Sequence, residues 1–226
     1  MANLVLFCAY RDWGISSHNK LAEDLEDLQD KYDIQLVTSQ SHLMSLFHHG
    51  LKPNLVFLAG WSWIIPSDIL SKSRFLGIHP SDLPKYAGGS PLQHQIIDGL
   101  SATQVSLFEL TTELDGGPVI QKRPLSLEGS LSNILEELSF QSYLMFKDLL
   151  SRYPNIPYIP IEKKFQSEIR KRLSPDSGKI TKQQFLELNS KDLFNFIRCR
   201  ENPYPNAYLE DDVGVLEFER VRFHAK

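Results

Sequence analysis

F-L-G-I-H-P-S-D-L-P-K-Y-A-G-G-S-P, running from Phe75 to Pro91, is the stretch on which the reading of this chain turns. Phe75 to Ile78 is the apolar run of a strand buried on both faces, and it leads straight into His79-Pro80. Pro80 has no backbone N–H to donate and restricts His79 to an extended conformation. His79 therefore stands where a strand stops and a loop begins. In an open α/β sheet that is where ligands bind, in the crevice beyond the carboxyl ends of the strands. Pro84, Gly88, Gly89 and Pro91 shape the loop and let backbone approach whatever occupies that crevice. Position alone leaves two readings of His79 open: a site residue, or a core histidine at a strand end.

Working outward, the same alternation continues on both sides. Leu4 to Ala9 is a continuous apolar run, the pattern of a central parallel strand. Ser17 to Leu28 has Leu21, Leu25 and Leu28 at helical spacing, with Ser16 or Ser17 as N-cap. Ile34 to Val37 reads as a second strand, and His42 to His48 as a short helix stopped by Gly50. Leu55 to Ala59 is a third strand, leading through Gly60 to Ile65 into a helix with Pro66 at its first position, ending at Leu70. After the loop, Pro91 to Ile97 is a helix stopped by Gly99. Val105 to Leu110 and Val119 to Leu127 are strands flanking a loop, Thr111 to Pro118, that holds Asp115. Ser130 caps the longest amphipathic helix, which ends at Leu150. Strands alternating with helices imply an α/β fold with a mostly parallel sheet. The first strand–helix turn lacks the G-x-G-x-x-G pattern of a dinucleotide site.

Beyond Arg152 the composition shifts. Residues 1–152 form the first domain, 153–173 a proline-rich and then charged linker, and 174–226 a small α+β unit. That unit has a helix over Ser190 to Cys199 capped by Ser190, a turn at Asn202-Pro203-Tyr204-Pro205-Asn206, and a terminal hairpin from Ala207 to Leu209 and Val213 to Phe223.

With 226 residues, 42% of them hydrophobic and 23% charged, the chain is an ordinary globular one. Its net charge of −4 argues against a nonspecific nucleic-acid binder and weighs against a tRNA substrate. Two cysteines, Cys8 and Cys199, do not make a disulfide framework. No apolar run is long enough to span a bilayer and no basic leader precedes the first strand, so a cytoplasmic location is expected. The histidines His18, His42, His48, His49, His94 and His224 show no metal-ligand spacing, and no metal is expected.

Two segments taken together, Phe75 to Pro91 and L-D-G-G-P-V-I at Leu114 to Ile120, resemble the formyltransferase family that uses N10-formyltetrahydrofolate. The family pattern is N-x-H-x-S-L-L-P, then Y-x-G-x-x-P, then an aspartate in L-D-x-G-x-I. His79, Ser81, Leu83, Pro84, Tyr86, Gly88, Pro91 and Asp115 match it in order and spacing. The family's asparagine falls at Gly77, and the arginine that many members carry after the tyrosine falls at Ala87. The last unit resembles the accessory region of the nucleotide-sugar N-formyltransferase branch, through Ser177-Gly178-Lys179-Ile180, Ile197-Arg198 and Asn202 to Ala207. The resemblance implies a Rossmann-like, mostly parallel sheet with flanking helices, followed by a small C-terminal α+β accessory unit.

It also implies a function: moving a formyl group from N10-formyltetrahydrofolate to the amino group of a UDP- or dTDP-linked 4-amino-4,6-dideoxy sugar. His79 is then general base and acid, since an imidazole titrates near neutrality, and Asp115 is the carboxylate that favours its protonated form. Trp61, Trp63, Ile64 and Ile65 match the segment that walls the pterin, with Thr111, Thr112 and Glu113 opposite. Arg11 and Trp13 lie where relatives meet the acceptor, a cation beside an aromatic suiting a nucleotide diphosphate and base. Gly77, Ser81, Lys85 and Tyr204 complete the substrate candidates. Each has a plainer alternative: a D-G turn for Asp115, a turn serine for Ser81, a solvated lysine for Lys85, core packing for the tryptophans and Tyr204, and a surface pair for Arg11 and Trp13. Gly77 leaves an oxyanion donor unsupplied, to be replaced by the His79 imidazolium, a backbone N–H or water, or else makes room for a bulky ligand. Two rival functions follow: a formyltetrahydrofolate hydrolase, and a folate- or sugar-nucleotide-binding module. The terminal hairpin, with an apolar face and edge strands, implies a homodimer.

Overall fold

Alternate residues of the central strands pack against helices on opposite sides of the sheet. The computed structural model describes residues 2–24, 30–159 and 169–225. Its main sheet has six strands: β1 (Asn3–Cys8), β2 (Tyr32–Val37), β3 (Leu55–Leu58), β4 (Arg74–His79), β5 (Ala102–Glu109) and β6 (Val119–Ser126). They lie in the order β2-β1-β3-β4-β5-β6. The pairs β1–β2, β1–β3 and β3–β4 are parallel, and β4–β5 and β5–β6 are antiparallel. On one face Val5, Phe7, Leu55, Phe57, Leu76 and Ile78 pack with α1 (Asp12–Glu23), α4 (Pro91–Ile97) and α5 (Leu131–Arg152). On the other, Leu6, Cys8, Val56, Leu58 and Phe75 pack with α2 (Gln40–His48) and α3 (Ser67–Leu70). With both faces covered, β1, β3 and β4 read as continuous apolar runs, and each large side chain so buried contributes about 1.5–3 kcal/mol. The chain leaves β1 for one side of the sheet and returns at β3 on the other. The carboxyl ends of β1 and β3 thus flank a topological switch point.

Most predicted elements are present with shifted ends. The first helix is displaced: α1 begins at Asp12, directly after β1, and no side chain caps it. Gly14 explains the early start, because a Cβ there would sit 2.4 Å from the Ala59 carbonyl oxygen, so the helix can press against the end of β3. Ser17, predicted as a cap, is buried inside that helix and donates to the Trp13 and Ser139 carbonyls at 3.0 and 2.9 Å. Leu25 and Leu28 lie outside the described residues. Ser39 caps α2 by accepting from the His42 N–H at 3.2 Å, and Ser130 caps α5 by accepting from the Asn133 N–H at 3.3 Å. Pro66 precedes α3 as its N-cap.

The C-terminal residues form α6 (Lys182–Glu187), α7 (Ser190–Arg198) and a hairpin of β7 (Ala207–Glu210) and β8 (Val215–Phe218). The cap of α7 is Asn189, not Ser190: its amide oxygen accepts from the Lys191 and Asp192 N–H groups at 3.0 and 2.9 Å. The C-terminal residues are tied to the end of β6 and the start of α5 through buried charge. Arg198 donates to the Leu127 and Gly129 carbonyls at 2.8 and 3.1 Å, and Glu201 accepts from the Leu131 N–H at 3.1 Å, at the start of α5. Burial holds the Arg198 guanidinium below its ordinary range. Cys199 enters the first core, and burial pushes its thiol up to about 11, while that of Cys8 is raised as well. Among the described residues no helix is long and apolar enough to cross a membrane.

Candidate active site

His79 is the last residue of β4, and its register partner on β5 is Ser106. The ring is buried, with Nε2 2.9 Å from the carbonyl oxygen of Tyr86. A carbonyl only accepts, so that bond assigns a proton to Nε2 and leaves Nδ1 as the basic nitrogen of the neutral ring. Nδ1 lies 3.6 Å from Asp115 Oδ2. Asp115 reaches this place from the loop between β5 and β6, with a left-handed backbone at φ 51°. The same Oδ2 accepts from the Gly88 N–H at 2.8 Å, which fixes the carboxylate. A proton taken up on Nδ1 would face the half-buried carboxylate of Asp115, so the imidazolium has a partner at each nitrogen. The loop after β4 thus holds both residues, His79 through the Tyr86 carbonyl and Asp115 through the Gly88 N–H.

The pair opens into a cleft of about 810 Å³. Arg11, Trp13, Trp61, Trp63, Ile64, Ile65, Gly77, Thr111, Thr112, Glu113 and Tyr204 all line it with His79 and Asp115. One wall is the segment after β3, where Trp61 meets Trp63 edge-on at 4.8 Å and Trp63 meets Tyr10 at 4.5 Å. Trp63, Ile64 and, across the cleft, Leu114 stay 37%, 80% and 51% exposed. The Trp61 indole nitrogen is buried without a hydrogen-bond partner among the described residues. Ser81 and Lys85 do not line the cleft. Ser81 is fully buried and its hydroxyl donates to the Lys85 carbonyl at 2.7 Å, a turn-stabilising contact. Lys85 is solvated, with Asp82 at 3.5 Å.

Gly77 faces β5 rather than open space. A Cβ there would come within 2.8 Å of Leu110 Cδ1 and 3.1 Å of Phe108 Cε1. Two apolar side chains thus occupy the room that the matching asparagine would need. Neither was singled out from the sequence, where both read as ordinary strand residues.

The other omission is the segment 169–173, which the sequence presented as linker. It returns to the cleft and pairs with the glycines of the loop. Arg170 N–H donates to the Ala87 carbonyl at 2.8 Å, and Gly89 N–H donates to the Arg170 carbonyl at 2.8 Å. Leu173 N–H donates to Ser90 Oγ at 3.1 Å, and His94 Nε2 lies 2.9 Å from the Lys171 carbonyl oxygen. Gly88 and Gly89 permit this: a Cβ on either would lie 2.3 Å from Arg170 O or 2.5 Å from Arg172 Cα. Ile169, Arg170, Lys171 and Arg172 all join the cleft lining. The rest of the predicted linker between 160 and 168 lies outside the described residues. Among the described residues no group of three or more His, Cys, Asp or Glu side chains is gathered to hold a metal.

With this geometry in view, the comparisons are specific. A family model described as Formyl transferase matches residues 21–133. A methionyl-tRNA formyltransferase of Dehalococcoides mccartyi is 30% identical over 138 residues, covering 59% of this chain and 44% of that relative. The chain spans about half the length of the curated relatives it matches. Among solved structures, a methionyl-tRNA formyltransferase from Clostridium thermocellum superposes with a TM-score of 0.85 at 25% identity, over 99% of this chain and 94% of that one. A sugar N-formyltransferase from a Shewanella species does so with a TM-score of 0.76 at 16% identity, over 99% of both chains. At that identity the second match speaks for the fold.

Proposed function

We propose a function from one premise: this chain belongs to the formyl transferase family. It transfers the formyl group of N10-formyltetrahydrofolate to the amine of a nucleotide-linked amino sugar, a UDP- or dTDP-linked 4-amino-4,6-dideoxyhexose, as a homodimer. The observation that carries the reading is the His79–Asp115 pair opening into a cleft whose lining combines apolar and aromatic side chains suited to a flat heterocycle, Trp61, Trp63, Ile64 and Leu114, with the guanidinium groups of Arg11 and Arg172. The volume is that of a site for a ligand of this size. In formyl transfer the amine attacks the formyl carbon, an oxyanion develops, the attacking nitrogen loses a proton and the folate nitrogen gains one. His79 Nδ1 takes the first proton, Asp115 stabilises the resulting imidazolium, and the same ring returns a proton to the leaving nitrogen.

The kinship with methionyl-tRNA formyltransferases at 30% and 25% identity favours a second reading, in which the amine is that of methionyl-tRNA. Donor turnover separates them. We expect turnover that depends on the amino-sugar nucleotide, no turnover on methionyl-tRNA, and none with water alone. Turnover on tRNA supports the second reading. Turnover with no acceptor makes the chain a formyltetrahydrofolate hydrolase, and no turnover with bound folate makes it a binding module. His79→Asn should lower kcat at least roughly 10²-fold while leaving tetrahydrofolate affinity within a few-fold. Normal turnover in that variant removes the catalytic assignment.

A further inference from the structure

We propose that Arg172, entering the cleft on the returning segment 169–173, forms with Arg11 a two-arginine seat for the diphosphate of the acceptor. The inference rests on the reading of the cleft as a formyl-transfer site and adds to it the residues that select the acceptor class. Arg11 follows β1, and its Nε donates to Tyr10 Oη at 3.0 Å. Arg172 Nη1 donates to Ser62 Oγ at 3.2 Å. Tyr10 Oη and Ser62 Oγ are themselves hydrogen-bonded at 2.6 Å. Both guanidinium groups are therefore tethered to one neutral pair of hydroxyls, which bridges the switch point from the end of β1 to the end of β3.

The chemistry of this place calls for an anion. Arg74 has Glu109 at 2.9 Å and Arg170 has Asp98 at 3.0 Å, but neither Arg11 nor Arg172 has a carboxylate partner among the described residues. Two like charges held on one small hydroxyl pair repel each other, and a bound dianion would convert that repulsion into two attractions. Each planar guanidinium keeps further N–H donors beyond the one bond given, in the fork geometry that matches phosphate oxygens. Arg11 is also stacked, 5.0 Å from the centre of the Tyr10 ring and 5.3 Å from that of Tyr204. That stacking fixes its plane before any ligand arrives. Lys171 lines the same cleft. A pyrophosphate linkage matches two arginines better than a single phosphate does, and its two ends carry a nucleoside and a sugar into the same cleft as His79.

The experiment is calorimetric titration of the full chain with UDP, dTDP, uridine, thymidine and inorganic pyrophosphate, for the wild type, Arg172→Ala and Arg172→Lys. Tetrahydrofolate binding reports that each variant is folded. One nucleoside diphosphate should bind at least about tenfold tighter than its nucleoside. Arg172→Ala should weaken that diphosphate roughly 10- to 100-fold with nucleoside and folate affinities unchanged, and Arg172→Lys should fall between. Equal affinities for diphosphate and nucleoside, or an Arg172→Ala protein that binds diphosphate as well as wild type, would overturn the seat. Formylation of the amino-sugar nucleotide, measured on the same preparations, separates the two levels. An unchanged KM for the sugar nucleotide in Arg172→Ala overturns the seat and leaves the transferase reading intact. Turnover on methionyl-tRNA alone overturns both. Pyrophosphate binding as tight as the nucleoside diphosphate, with no use of any sugar nucleotide, makes this a free-anion site and likewise overturns it.

Discussion

Gly77 sits two residues before His79 on β4, directly across the antiparallel pair from Phe108. The space a side chain would take is already used by Leu110 and Phe108, so the position is closed rather than vacant. The contact at 2.8 Å is with the tip of Leu110, which lines the cleft and can give way. Gly77→Asn should therefore push Leu110 toward the folate wall and raise the KM for the formyl donor, without raising kcat. Overpacking of this kind costs roughly 1–3 kcal/mol, so the KM should rise about tenfold or more. Pairing it with Leu110→Ala should restore the KM, and steady-state kinetics on the single and double variants checks this. A single variant with higher kcat and an unchanged KM would show that the amide was simply missing. At this scale the sequence was most informative through the gapped pattern of Phe75 to Pro91 and Leu114 to Ile120: His79 before a proline and Asp115 before two glycines each leave a plainer reading open, and the resemblance that the two segments carry together is what singles out the pair. The neighbours of Gly77 were not legible, because which apolar side chains fill a strand's far face depends on a register that only the folded sheet defines.

The loop from Tyr86 to Ser90 and the segment 169–173 act as one element. The loop's backbone does two jobs at once: the Tyr86 carbonyl holds His79 and the Gly88 N–H holds Asp115. The returning segment is paired to the same stretch, at Ala87 and Gly89. Asp98 clasps it from outside, accepting from Tyr86 Oη at 2.9 Å and pairing with Arg170 at 3.0 Å. Gly89→Ala would drive a Cβ into the Arg172 backbone, within 2.5 Å of its Cα, where no side-chain rotation gives relief. We expect that variant to release the segment. Tryptic cleavage at Arg170 to Arg172 should speed up at least roughly tenfold, and kcat should fall because the loop that orients His79 and Asp115 loses its outer partner. Unchanged cleavage and unchanged kcat would show that the pairing holds nothing in place. None of this partnership could be read from the chain. The sequence shows the glycines, and correctly marks them as sites of close approach, but what approaches is backbone from 80 residues downstream, and charged sequence of that kind has no periodicity to betray a partner. Helix starts were misplaced for a related reason. Ser17 is a good cap by type, yet the close approach of Gly14 to Ala59 begins α1 earlier.

On the scale of the whole molecule, the parallel core was legible because strands buried on both faces leave continuous apolar runs, while the antiparallel direction of β5 and β6 was not, since the sequence shows only two strands joined by a loop. The tie between the two units was not legible, since it is made by buried polar groups, Arg198 and Glu201, whose residue types ordinarily point to solvent. The last unit also leaves a surface to account for. The inner edge of the terminal hairpin is taken: Ile180 N–H donates to the Tyr208 carbonyl at 2.7 Å, beside a parallel bridge from Lys179 to Tyr208. The far edge, β8, has no strand beyond it among the described residues, and Val213, Val215 and Leu216 are 95%, 62% and 59% exposed around it. A two-stranded ribbon is marginal alone, and an open apolar edge is a template for another strand. Pairing β8 with β8 of a second copy would make a four-stranded sheet and cover those side chains by the same operation on both molecules. We therefore expect a homodimer in light scattering at micromolar concentration. A Val215→Lys, Leu216→Lys variant, which charges that edge, should be monomeric while still binding tetrahydrofolate, because neither residue lines the cleft. A wild-type monomer at that concentration, or a charged variant that stays dimeric, would place the contact elsewhere or nowhere, and the hairpin edge would then need a different cover.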